Sequence, residues 1–412
     1  LPKISSIRCR LVYNSRGGKT IEVDVISDGK HLGRACVPSG ASVGKHEAQS
    51  FANNKPESSL QILKKNLRKF VGLDSNDLKS IQKVLRQVDN TPNYSKIGGA
   101  AAYAITIASV DSAAKALGVP MFKLISQTKK WRFPFPLGNI LGGGAHAGPG
   151  TPDIQEILIC AVGAKSVREA IETNFAVHKE LGKILRSEDP RFTNGRGDEG
   201  GWAPELDNER ALEVSARACE KLGYTLGKEV ALGVDFASST QWDEKKKKYL
   251  YERAGFENTP DEQIDFAANI IKKYKLVYAE DAVHEEAFDQ MARLAKKFPK
   301  TLIVGDDLTV TNAKILKKAI AKKSCNAAIL KVNQAGSLYD ALEFAQVATK
   351  HNIRLITSHR SGESTDYQIS HIGIATGSKM LKVGVVGGER VAKLNELIRL
   401  SEYNLIHGMA EI

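Results

Sequence analysis

Six apolar runs of strand length in the second half of the chain each end in a residue able to do chemistry. They are ALGVD at Asp235, LVYAE at Glu280, LIVGD at Asp306, AAILK at Lys331, RLITSH at His359 and a weaker MLK at Lys382. One Asp after a strand is more often a helix N-cap or a turn residue than a ligand. Three acids at successive strand ends, followed by three basic residues, are hard to explain as caps. Hard divalent cations such as Mg²⁺ take carboxylate oxygens and leave room for water and substrate, and Asp235, Glu280 and Asp306 offer that donor set. A lysine at a strand end commonly snorkels into solvent. Lys331 reads otherwise, because the apolar strand before VNQ delivers it toward the ring of acids.

These residues need a scaffold that gathers strand ends. Between the apolar runs lie segments of helical period, such as 337–350, where Leu338, Ala341, Leu342, Ala345 and Ala348 share one face. Continuous apolar strands alternating with amphipathic helices predict a parallel sheet covered on its outer side. Enough such units close into a (β/α) barrel whose strand C-termini carry the active site. Residues 8–36 follow a different pattern: Ile21, Val23 and Val25 alternate with Glu22 and Asp24, as in a half-buried antiparallel strand. After a loop at 38–44, residues 58–124 read as helices broken at Gly72 and Pro92 and stopped at Gly118-Val-Pro120, the Ala- and Gly-rich stretch 98–110 being a buried helix. Strands first and helices after predict an α+β domain ending near residue 130.

With 412 residues the chain is too long for one small module, and 42% hydrophobic with 26% charged residues is an ordinary globular balance. The formal charge of +12 favours anionic partners, a phosphorylated metabolite, nucleic acid or an acidic surface, without choosing among them. Five scattered cysteines without a C-x-x-C spacing argue against a disulfide framework and a cysteine zinc site, so the expected compartment is the reducing cytoplasm. No segment approaches the roughly 18 apolar residues of a membrane span. Lysine runs such as 245–248, without interleaved aromatics, read as solvated faces, so nucleic-acid binding is disfavoured.

Longer motifs add a resemblance. SRGGKTIEVDV (15–25), VPSGASVGKHEA (37–48), SKIGGAAAYAITIASVDSAAKALGVP (95–120), NILGGGAHAGPGTPDIQE (139–156), GDEGGWAPEL (197–206), GDDLTVTN (305–312), LKVNQAGSL (330–338) and SHRSGES (358–364) cover nearly the whole chain, and together they resemble the enolases, in particular the archaeal branch. The resemblance implies an α/β fold with a (β/α)8-type barrel over 131–412 and an N-terminal α+β capping domain over 1–130. It implies reversible Mg²⁺-dependent dehydration of 2-phospho-D-glycerate to phosphoenolpyruvate in glycolysis and gluconeogenesis. By resemblance Asp235, Glu280 and Asp306 hold a first Mg²⁺, and Ser42 ligates a second that arrives with the substrate. Lys331 is then the base at C2. Glu199 is the acid that protonates the departing C3 hydroxyl, with Glu156 cooperating. His146, Gln155, His359, Arg360, Ser361 and Lys382 bind the small phosphorylated carboxylate.

The chemistry fits those types. The C2 proton lies beside an ionised carboxylate, so only concentrated positive charge makes its removal feasible. A lysine base needs a pKa lowered by burial and adjacent cations, and paired carboxylates raise one another so that one keeps a proton to give. Arg360 supplies a planar, permanently charged fork for phosphate. His31, His178, His351 and His371 receive no role. The sequence departs from the family pattern in three places: one extra residue between His146 and Glu156, Ala282 for the usual Pro, and SRGGK for SRGNP. The family also implies a homodimer or homo-octamer. Rival readings are another superfamily enzyme acting on a different acid, disfavoured by Arg360-Ser361 and the SGAS loop, and a surface adhesion or nucleic-acid-binding role.

Overall fold

The computed structural model describes residues 1–41 and 44–412. Its first sheet is antiparallel, β1 (Ile4–Tyr13), β2 (Lys19–Ser27) and β3 (His31–Cys36), in that order. Ile21, Val23 and Val25 are fully buried, as their alternation requires. Asp24, expected on the outer face, is buried too, because Arg10 and Arg34 pair with its carboxylate. The helix Gly99–Leu117 lies behind the sheet, buried from Gly99 through Ala114, and ends on the left-handed Gly118. Small residues permit this closeness: a Cβ on Gly33 would stand 2.0 Å from the Ala108 carbonyl oxygen.

The second unit is a closed barrel of eight strands. They are β4 (Phe135–Gly142), β5 (Glu156–Cys160), β6 (Ala231–Asp235) and, after a small excursion sheet of β7 (Trp242–Asp243), β8 (Lys248–Tyr251) and β9 (Phe256–Asn258), the run β10 (Tyr278–Glu280), β11 (Leu302–Gly305), β12 (Ala327–Leu330), β13 (Arg354–Ser358) and β14 (Met380–Lys382). Ring closure follows the order β10-β11-β12-β13-β14-β4-β5-β6. The lysines at 245–247 fall in the exposed turn of the excursion sheet.

One expectation is corrected. The barrel is not all parallel, because β5 runs antiparallel to both β4 and β6. The connection from β4 to β5 is rich in glycine and proline and holds only the short turn Gly144–Ala147, so no crossover helix returns the chain to the starting side. The reversal has a chemical consequence: the first residue of β5, Glu156, pairs with the last residue of β6, Asp235, which in turn pairs with Glu280, the last of β10. Three carboxylates from three adjacent strands therefore share one layer at the rim. No helix among the described residues is long and apolar enough to cross a membrane.

Candidate active site at the barrel rim

Lys382, 3% exposed, ends β14 and extends its ammonium into that layer of acids, 2.8 Å from Glu156 Oε2, 2.9 Å from Asp235 Oδ2 and 2.5 Å from Glu280 Oε2. Burial alone would lower the lysine, but Asp235, Glu156 and Glu280 hold its pKa well above the ordinary value. Lys331 follows β12 and pairs with Asp306, whose other oxygen accepts from Gln334 Nε2 at 2.9 Å. Here the structure differs from the sequence expectation of a lowered lysine. Burial pulls Lys331 down, and Asp306, opposed by Arg360 and Lys382, pulls it above its ordinary value.

The acids fit a divalent cation. The side chains of Glu156, Asp235 and Glu280 converge, as do those of Glu280, Asp281 and Asp306, each group offering oxygens within 4.8 Å of one another. The expected ligands Asp235, Glu280 and Asp306 are thus divided between two clusters that share Glu280. Glu280 Oε1 is buried without a hydrogen-bond partner among the described residues, while its Oε2 accepts from Tyr278 and Lys382. Burial and the neighbouring acids push Glu280 and Asp281 well above the carboxylate range, and Asp307 up to about 8. Such mutual repulsion is what a hard cation on carboxylate oxygens relieves. The Lys382 ammonium, ringed by three carboxylates, marks where positive charge belongs. Asp281 adds a framing role, its carboxylate accepting the Asp306 and Asp307 amides at 3.1 and 2.7 Å. Ser42 lies outside the described residues.

The remaining expected residues line the same cavity. His146, in the turn after β4, places Nδ1 3.0 Å from Glu156 Oε1 and 3.7 Å from Glu199 Oε1. His359 Nε2 lies 3.0 Å from Glu199 Oε2, and Gln155 Nε2 donates to Asp235 Oδ2 at 3.2 Å. Burial and the Glu199 charge push Glu156 up to about 7 against the pull of Lys382. Glu199 goes the other way: burial would raise it, but His359 and His146 take it well below the carboxylate range. Within the pair, Glu156 is thus the raised member and Glu199 the lowered one.

Arg360, 5% exposed, pairs with Glu47 at 3.1 Å and donates to Asn333 Oδ1 at 3.1 Å, while the adjacent Ser361 hydroxyl reaches the Ser39 carbonyl at 3.4 Å. Thus the structure brings together every described residue expected at the site. The sequence reading missed Glu47, Asp281, Gln334 and Asn333. Asp281 follows Glu280 directly, and Asn333 and Gln334 follow Lys331 in LKVNQ, so proximity to a strand-end residue was the available signal; Glu47 stood in the motif VPSGASVGKHEA with no role given to it.

Comparison with known families agrees with this geometry. The model described as "Enolase, N-terminal domain" matches residues 4–125, and "Enolase, C-terminal TIM barrel domain" matches residues 130–408. The chain is 42% identical to an enolase of Methanosphaera stadtmanae and 40% identical to one of Methanothermobacter thermautotrophicus, over 99% of both chains in each case. It is 39% identical to an enolase of Pyrobaculum aerophilum over 97% of both.

Proposed function

Since the chain belongs to the enolase family, we propose that the rim residues just described carry the family's reaction, Lys331 as the base and Glu199 as the acid. The protein is a phosphopyruvate hydratase, a lyase that interconverts 2-phospho-D-glycerate with phosphoenolpyruvate and water in glycolysis and gluconeogenesis. The observation that carries the assignment of roles is that Lys331, Lys382, Glu156, Glu199 and His359 line one cavity at the barrel rim, with Lys382 paired to Glu156.

Asp235, Glu280 and Asp306 would hold Mg²⁺, with a second ion arriving with the substrate through Ser42. The bound ions supply positive charge against the negative charge that develops on the substrate carboxylate. Lys331 Nζ, once neutral, takes the C2 proton, and the C–H electron pair passes into the carboxylate. Asp306 sets the condition for that neutrality, since sharing its charge with a cation removes the chief influence that keeps the lysine protonated. Lys382 binds the substrate carboxylate, and Arg360 with Ser361 the phosphate. The pair held on the carboxylate then returns to form the C2=C3 double bond as the C3–O bond breaks, that bond's electrons leaving with oxygen, while Glu199 gives the proton that makes water. Because Glu156 is raised while Glu199 is lowered, we place Glu156 as the reservoir that reloads Glu199. His146 and Gln155 complete the wall beside the substrate.

We further place the boundary between a capping domain, 1–130, and the barrel, 131–412, and expect a homodimer or homo-octamer in the cytoplasm. Family membership supports the assembly, and five free thiols support the compartment. The direct test supplies 2-phosphoglycerate and follows the rise in ultraviolet absorbance of the enol product. Turnover should require Mg²⁺, vanish with EDTA and return on adding Mg²⁺; turnover indifferent to the chelator would sink the three-acid site.

A further inference from the structure

Arg390 lies on the helix Gly388–Leu400, is wholly buried, and takes no part in the chemistry described so far. Burying a guanidinium is costly unless its donors are met. Here the terminal N–H groups converge on the two catalytic loops, while Nε, without a hydrogen-bond partner among the described residues, lies 3.4 Å from Glu389 Oε1. Nη2 donates to the Asp198 carbonyl at 2.8 Å and the Ser361 carbonyl at 2.6 Å. Nη1 donates to the Arg360 carbonyl at 2.5 Å and lies 2.9 Å from His359 Nδ1. One planar group thus ties the loop before Glu199 to the loop that carries His359, Arg360 and Ser361.

The contact with His359 decides where the imidazole proton sits. Arginine offers donors only and stays charged at any working pH. The Gly384 amide also faces Nδ1, at 3.4 Å. With two donors aimed at it, Nδ1 must be the lone-pair nitrogen, so the proton is on Nε2. That N–H then donates to Glu199 Oε2 at 3.0 Å. Glu199 Oε2 is committed as an acceptor, and a proton that Glu199 delivers must sit on Oε1, the oxygen 3.7 Å from His146 Nδ1.

We propose that Arg390 is a positioning residue for the proton donor: it fixes His359 as the Nε2–H tautomer, aims that N–H at Glu199 and binds the two loops into one unit. The inference rests on the reading of Glu199 as the acid. Arg390 touches neither the acids around Lys382 nor Lys331 in any described contact, so its influence belongs to dehydration and not to C2 proton removal.

The test uses the full-length, Mg²⁺-loaded enzyme. Nitrogen-15 NMR of histidine-labelled protein, with His359 assigned by its loss in His359→Gln, should show an unprotonated Nδ1 and a protonated Nε2. A proton on Nδ1 would overturn the proposal, and this reading needs no Arg390 variant to fold. In Arg390→Lys and Arg390→Gln, kcat for dehydration should fall about ten- to a hundredfold, the range of a misaimed acid. Solvent exchange of the C2 hydrogen at saturating substrate should stay within about threefold, and Arg390→Lys should be the milder variant. A merely structural arginine would lower exchange and dehydration together; that result, or unchanged dehydration, rejects the proposal. Glu199→Gln run alongside separates the two readings: if it still dehydrates, the acid assignment fails, and if it does not while Arg390→Lys does so fully, only the role of Arg390 fails.

Discussion

Burial pulls the Lys331 pKa down, and Asp306 holds it above its ordinary value. On the proposed roles, one acid would serve both in the cation-binding set and as the switch on the base. Removing the amine in Lys331→Ala should abolish exchange of the C2 hydrogen with solvent, a loss of at least about a hundredfold for a general base; rapid exchange in that variant would reject the assignment. Glu199→Gln, which keeps the shape and loses the acid, should continue to exchange C2 hydrogen and fail to dehydrate. Near-normal product formation there would dismiss the acid role. At this scale the sequence was highly legible where chemistry stood at the end of an apolar run, as at Asp235, Glu280 and Lys382. It was illegible where a residue's role depends on a partner hundreds of positions away, as Glu47 does on Arg360. Which of the two paired acids is raised was likewise not legible: burial and Glu199 raise Glu156, while the histidines lower Glu199.

Strand β5 shows how an element can escape a pattern. FPLGNILG, which forms β4, contains proline and two glycines and reads poorly as a strand, yet all eight residues are buried; EILIC, which forms β5, is short and lacks an alternating face. The period of strand plus helix that announced the barrel begins only after this pair. Close backbone approach is the other property that pattern reading passes over, and two glycines separate its consequences. A Cβ on Gly384, in the loop after β14, would stand 2.0 Å from the Glu199 carbonyl oxygen. Gly384→Ala should therefore displace the acid-bearing loop and lower turnover about tenfold or more, since shifts near 1 Å at reacting groups have effects of that order. Gly33→Ala, pressed on the helix Gly99–Leu117, should cost stability of about 1–3 kcal/mol from overpacking and leave turnover per folded molecule intact. Equal losses of turnover in both variants would refute the distinction, which thermal melts and steady-state assays measure together.

Taken as a whole, the protein carries a formal charge of +12 yet buries a ring of carboxylates at its centre, and the pH dependence of its stability records that conflict. Glu156 and Asp307 are raised to about 7 and about 8, chiefly by burial and by the neighbouring acids Glu199 and Asp306. His146 is raised as well, Glu199 and Glu156 overcoming the lowering effect of its burial. Between pH 6.5 and 8.5 the folded chain thus holds protons that the unfolded chain has already lost. The unfolded state then binds fewer protons, and stability must fall as pH rises through this window. His359 and His178, lowered to about 4 mainly by burial, act with the opposite sign, but only below about pH 6.5, where the unfolded imidazole is protonated. In magnesium-free buffer the melting temperature should accordingly decline from pH 6.5 to 8.5. Mg²⁺ should reverse or flatten that decline, because a cation on ionised carboxylates replaces the protons and binds more tightly as they leave. At a hundred times its dissociation constant it should add about 2.7 kcal/mol to the folded state. Melting curves across that range, with and without Mg²⁺, measure both slopes; a magnesium-free melting temperature that climbs toward pH 8.5 would mean that the buried acids do not hold these protons.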